Sequence, residues 1–213
     1  MTALGNPVNE SSDATLRIFL LSPAHCGGKR AAILLNQQAT FPLAQRLRST
    51  GVTLGEAFSF LSGLYFRGKL TYADRFARPP VGRSGVHVIT TNRGLLAADA
   101  PVRSQELREF ATVDIRADDP GYRRPLARDL AVLTEYHRAE VVLLGSVATG
   151  KYVDVLLEVF GERLLFPVDF VGRGDMSRGA LLLRAAREGR ELAYEPVAGA
   201  VRHGRRAPRV AAR

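Results

Sequence analysis

Gly161-Glu-Arg-Leu-Leu-Phe-Pro-Val-Asp-Phe-Val-Gly-Arg-Gly-Asp-Met-Ser-Arg-Gly-Ala-Leu-Leu-Leu-Arg184 is the stretch whose reading decides the fold. Its apolar start, Leu164 to Val168, reads as a buried strand. Gly172 to Gly179 breaks the run, and helical spacing resumes from Ser177 to Glu188. In α/β proteins, a loop that leaves a strand's carboxyl end and opens a helix is where ligands bind. This loop offers Asp169, Asp175, Arg173, Arg178 and Ser177 beside glycine backbone, a set suited to a polar, partly anionic molecule. Asp169 and Asp175 are candidate catalytic or base-binding carboxylates, with capping of the last helix as the plainer role for Asp175 or Ser177.

The same alternation continues outward. Leu16 to Ser22, Val86 to Thr91 and Val141 to Gly145 are short apolar runs read as further strands. Helical patterns fall at Ala31 to Asn36, Pro42 to Ser49, Ser104 to Thr112, Tyr122 to Arg138 and Val147 to Phe160. From Leu54, apolar residues recur at Ala57, Phe58, Leu61, Leu64 and Tyr65, predicting an amphipathic helix that Gly68 interrupts and Pro79-Pro80 ends. Leu192 to Val197 adds an edge strand. Strands alternating with helices predict an α/β fold in three layers, a mostly parallel central sheet with helices on both faces. In such a sheet the loops Ser22 to Arg30, Thr90 to Arg93, Ser146 to Lys151 and Asp169 to Arg178 gather along one edge.

Bulk properties bound the function. At 213 residues, 46% hydrophobic and 24% charged, the chain reads as one globular domain over 15–197. A disordered N-terminus, 1–14, and a basic disordered tail, 198–213, are expected to flank it. No apolar run approaches the roughly 20 residues of a membrane span. The polar N-terminus does not read as a signal peptide, and a lone cysteine allows no internal disulfide, so the expected location is the cytoplasm. The net charge of +9 points to phosphate-bearing partners, nucleic acid above all. Five of those charges lie in the tail, where Arg205 and Arg206 either contact phosphates or are simply solvated.

Cys26 sits between a strand end and a helix start, beside His25, Gly27, Gly28, Lys29 and Arg30. Cations and a helix N-terminus lower a thiol's pKa, so Cys26 is a candidate nucleophile; a small buried thiol is the plainer reading. Ser22, Lys29 and Arg30 on that loop, Thr91, Asn92 and Arg93 on the next, and Lys151 are candidate substrate contacts. So are Arg173, Ser177 and Arg178. A capped turn is the competing role for Thr91 to Arg93, and helix capping for Ser146. Arg67 and Lys69, next to Tyr65, Phe66 and Tyr72, are candidate nucleic-acid contacts or the solvated face of an amphipathic helix. The histidines and Cys26 lack metal-ligand spacing, the loop after the first strand is not a Walker A motif, and no cofactor is expected.

Four segments recur in an order that resembles known families: Ser22-Pro-Ala-His-Cys-Gly-Gly-Lys-Arg30, Gly63 to Ala73, Val88 to Leu96 and Val141 to Gly145. Over about residues 16–185 the chain resembles bacterial families related to the peroxide-stress protein YaaA and to uracil-DNA-glycosylase-like folds. That resemblance implies the uracil-DNA-glycosylase-like arrangement of the sheet. The Arg173 to Arg178 loop and a missing water-activating carboxylate motif set the chain apart from a plain glycosylase. Similarity to the DpdC branch implies conversion of 7-cyano-7-deazaguanine in DNA to the amide, with Cys26 as nucleophile and Asp169 or Asp175 at the base. A non-catalytic DNA-binding or DNA-protecting protein and an enzyme acting on N-glycosidic bonds are the alternatives.

Overall fold

A computed structural model describes residues 15–148 and 150–201. The expected disordered N-terminus, most of the expected tail, and with it Arg205 and Arg206, lie outside the described residues.

The first strand, β1 (Arg17–Leu21), is buried along its whole length, as a strand covered on both faces must be. Four short helices and a two-residue strand follow: α1 (Lys29–Leu34), α2 (Pro42–Arg48), β2 (Val52–Thr53), α3 (Leu54–Ser62) and α4 (Leu64–Phe76). Then come β3 (Val86–Ile89), β4 (Leu95–Ala97), β5 (Pro101–Val102), α5 (Ser104–Phe110) and α6 (Pro120–Thr134). The chain ends with β6 (Glu140–Leu144), α7 (Gly150–Phe160), β7 (Leu164–Pro167), α8 (Asp175–Glu188) and β8 (Tyr194–Pro196).

The six-stranded sheet has the order β4-β3-β1-β6-β7-β8. β3, β1, β6 and β7 are parallel, while β4 and β8 run antiparallel at the two edges. Alternate residues serve opposite faces. Phe19, Leu21, Val88, Val142 and Leu144 join the core shared with α1 to α5 and α8, whereas Ile18, Leu20, Ile89, Val141 and Leu143 join the core shared with α6 and α7. The expected three-layer α/β architecture is therefore present. The loops after the parallel strands do share the carboxyl edge, because the strands run the same way.

Two local features differ from the sequence pattern. The helix begun at Leu54 breaks at Gly63, at φ 63° and ψ −129°, and runs unbroken through Gly68. Gly68 is instead a point of close approach. A Cβ there would lie 2.7 Å from Gly179 O, and one on Gly179 would lie 2.8 Å from Leu64 O. The glycine pair thus lets the backbones of α4 and α8 touch, and each helix places a buried basic residue, Lys69 or Arg178, beside the crossing.

Candidate functional site

β1 and β6 are neighbours, but the chain leaves β1 towards β3 and leaves β6 towards β7. The crevice outside their carboxyl ends is a topological switch point, the usual ligand position in an open parallel sheet. A cavity of about 240 Å³ opens there. Pro23, His25 and Cys26 after β1, Thr91 after β3, Asp114 after α5 and Lys151 at the start of α7 are among its walls. Sequence reasoning thus named three residues that share this cavity: Cys26, Thr91 and Lys151.

The state of Cys26 differs from the expectation of a lowered pKa. It is 5% exposed, and burial pushes its thiol up to about 12. Its Sγ donates to Ala24 O at 3.6 Å. The nearby cations do not counter this: Lys29 and Arg30 are exposed on α1, a helix of only six residues, and Arg30 Nη1 is turned to Phe60 O at 3.3 Å.

Behind the cavity lies a polar chain that sequence reasoning missed. Lys69 is 1% exposed, which overturns both its expected contact with nucleic acid and its placement on a solvated face. Its Nζ donates to Ser22 O at 2.5 Å and to Ser22 Oγ at 2.9 Å, and it packs over the rings of Tyr65 and Phe66 at 4.6 and 4.8 Å. Ser22 is hydrogen-bonded in turn to Tyr152, whose hydroxyl accepts from Ser146 N at 2.8 Å. Ser146 does not cap α7; its hydroxyl accepts instead from Ala148 N at 3.4 Å. The chain therefore ties the ends of β1 and β6 to α4 and α7. Burial brings Lys69 down to about 7; Asp175 pulls it back up and the Arg178 charge adds to the depression. An amine held close to neutrality in an apolar setting is a mark of functional sites.

The glycine-rich stretch before α8 joins this inner chain, not the cavity. Arg178 is 8% exposed and donates from Nε and Nη2 to Phe170 O at 3.1 and 3.0 Å. Asp175, the first residue of α8, lies 3.7 Å from Arg178, and Gly174 takes the capping position. Arg173 donates to Ser177 Oγ at 3.4 Å. Asp169 is exposed on a single 3-10 turn, Val168–Phe170. None of Asp169, Arg173, Asp175, Ser177 and Arg178 lines the Cys26 cavity, so the expected carboxylate wall facing the thiol is absent from it.

The loop after β3 is largely committed to α5. Thr91 Oγ1 donates to Phe110 O at 2.9 Å and Asn92 Nδ2 to Glu109 O at 3.2 Å, while Arg93 pairs with Glu109. Ser22 is likewise engaged with Lys69, although Pro23 beside it reaches the cavity. Arg67 is exposed. Among the described residues no cluster of His, Cys, Asp and Glu is arranged to hold a metal ion, and no helix is long and apolar enough to cross a membrane.

Comparison of the chain with protein-family models, with characterised proteins and with solved structures gave no match.

Proposed function

We propose that the protein is an enzyme that acts on a modified purine base, with the nitrile of a 7-cyano-7-deazaguanine in DNA as the reacting group and Cys26 as the nucleophile. The observation that supports this most directly is the cavity at the switch point, where Cys26 shares walls with Lys151, His25 and Thr91. Its volume of about 240 Å³ suits one base-sized ring system. That is just below the range of about 300–1,000 Å³ typical of drug-sized ligands.

In this chemistry the Cys26 sulfur forms a bond to the nitrile carbon as the thiol proton leaves, and the nitrile nitrogen takes up a proton to give a thioimidate. Water then adds to the same carbon, the carbon–sulfur bond breaks, and the thiol is regenerated as the amide departs. His25 is the nearest proton acceptor in sequence, and the Lys151 ammonium is the cation available to the sulfur inside the cavity. With its thiol held near 12, Cys26 is almost wholly protonated at rest, so attack and proton loss must be coupled. Lys69 serves as a positioning residue: it holds Ser22 and hence the segment that carries Cys26.

The test is to incubate the full chain with an oligonucleotide containing 7-cyano-7-deazaguanine and to analyse its nucleosides by mass spectrometry. The wild type is expected to add the mass of one water to the modified base, and Cys26→Ser and Cys26→Ala to leave it unchanged. Unaltered nucleosides with the wild type would refute the activity, and turnover by both variants would refute the mechanism.

A further inference from the structure

A second groove, of about 660 Å³, lies where α3 turns into α4 against the start of α8. Arg30, Arg67, Ser59, Ser62, Gly63 and Met176 are among its lining residues. We propose that it binds the phosphodiester backbone of a single-stranded nucleic acid. This deepens the functional reading above and rests on it, because it assigns the DNA that carries the base a binding surface and a single-stranded form.

The cations are free to receive phosphate. Arg30 and Arg67 form no ion pair among the described residues, and the adjacent acid, Asp175, is set against Arg178. Arg30 is also held in place: its Nη1 donates to Phe60 O at 3.3 Å and crosses Gly63, where a Cβ would sit 2.3 Å from that nitrogen. The left-handed φ of 63° and the missing side chain therefore serve the arginine as well as the turn. The hydroxyls of Ser59 and Ser62 add hydrogen-bonding groups suited to phosphate and sugar oxygens.

The walls also offer apolar surface to bases. Phe60 lines the groove and stacks on Phe41 with ring centroids 5.4 Å apart, and Met176 is 68% exposed opposite. Cations that track a backbone beside apolar platforms are the pattern of single-strand binding. Arg30 follows Cys26 by four residues, so no more than about 15 Å of chain separates their backbones. A strand seated in the groove therefore lies within reach of the Cys26 cavity.

The experiment measures fluorescence anisotropy of a 5′-labelled single-stranded oligodeoxynucleotide with the full chain across a range of salt concentrations. Arg30→Gln/Arg67→Gln is expected to weaken binding about tenfold and to reduce the log–log salt slope by about 1.4, two contacts at about 0.7 each. Deletion of 202–213 in both backgrounds must leave that difference in place, which separates the groove from the basic tail. Unchanged affinity and slope in the double variant would overturn the proposal, as would competition by a mononucleotide as effective as that by the oligomer. Base conversion is scored separately with Cys26→Ser, whose binding is expected to match wild type. A wild type that binds the oligomer through the groove yet leaves the modified base unchanged would refute the catalytic reading alone. A wild type that converts the base while the double variant binds with unchanged affinity and slope would refute the groove alone.

Discussion

Strand β1 has a buried cation at each end, and the two are treated in opposite ways. At the amino end Arg17, 8% exposed, pairs with Glu140 and Glu191 and lies 4.9 Å over the Tyr194 ring. Burial alone would lower its pKa, but the two carboxylates outweigh that and raise it. At the carboxyl end Lys69 donates to the oxygens of Ser22 and lies over the Tyr65 and Phe66 rings, with no carboxylate within ion-pair range among the described residues, and burial leaves it near 7. One end of the sheet neutralises its charge for stability. The other keeps an amine that changes charge near neutral pH, next to a cavity, where function exploits perturbed groups.

The largest expected effect comes from breaking the amino end. Arg17→Met leaves Glu140 and Glu191 without their cation and is expected to lower stability by about 3 kcal/mol in urea unfolding at pH 7. A loss below about 1 kcal/mol would mean that the pairing is no more stabilising than an exposed salt bridge.

Lys69 sharpens the contrast through pH. The folded residue gives up its proton near 7, whereas the unfolded one keeps it to about 10.5. Between these values the unfolded state binds more protons, so stability rises with pH. Thermal or urea unfolding of the wild type is expected to gain about 2 kcal/mol from pH 7 to pH 9, at most about 1.4 kcal/mol per unit. Lys69→Met should flatten that rise, and an equal rise in the variant would show that another group causes it.

The mildest expected effect leaves stability at neutral pH unchanged. With its thiol raised from 9.0 to about 12, Cys26 should alkylate with iodoacetamide at a rate that still climbs beyond pH 10. An ordinary exposed thiol levels off near 9. A plateau near 9, followed by the mass of the adduct, would show that burial does not control the thiol and that the cavity is wetter than its walls suggest.

The strands of the sheet were legible because their cause is local. Leu16 to Ser22 and Val141 to Gly145 are apolar runs of the length a doubly covered strand requires; β1 falls inside the first, and β6 overlaps the second but starts one residue earlier, at Glu140. The convergence of Cys26, Thr91 and Lys151 followed from the parallel order of those strands. What the sequence concealed depends on distant partners. Lys69 looked solvated because lysine is rarely buried. Its spacing from Tyr65, Tyr72 and Ala73, however, sets it on the buried stripe of α4, and that was the available signal. Gly68 looked like a helix breaker because its reason lies on α8, at Gly179. Asp175 and Arg178 were assigned to the cavity because proximity to a strand end does not say which side of the edge a loop turns towards.

The crossing of Gly68 with Gly179 also has a consequence for the order in which the molecule can come into being. The two glycines are about 110 residues apart in the chain. A polypeptide growing from its N-terminus therefore carries α4 long before α8 exists, and the helix face bearing Gly68 has no partner until nearly the whole domain has been synthesised. Contacts of such long range are entropically late. Arg178 and Asp175, which set the charge around Lys69, arrive with that same helix, so the amine acquires its final surroundings only when the last long helix has docked.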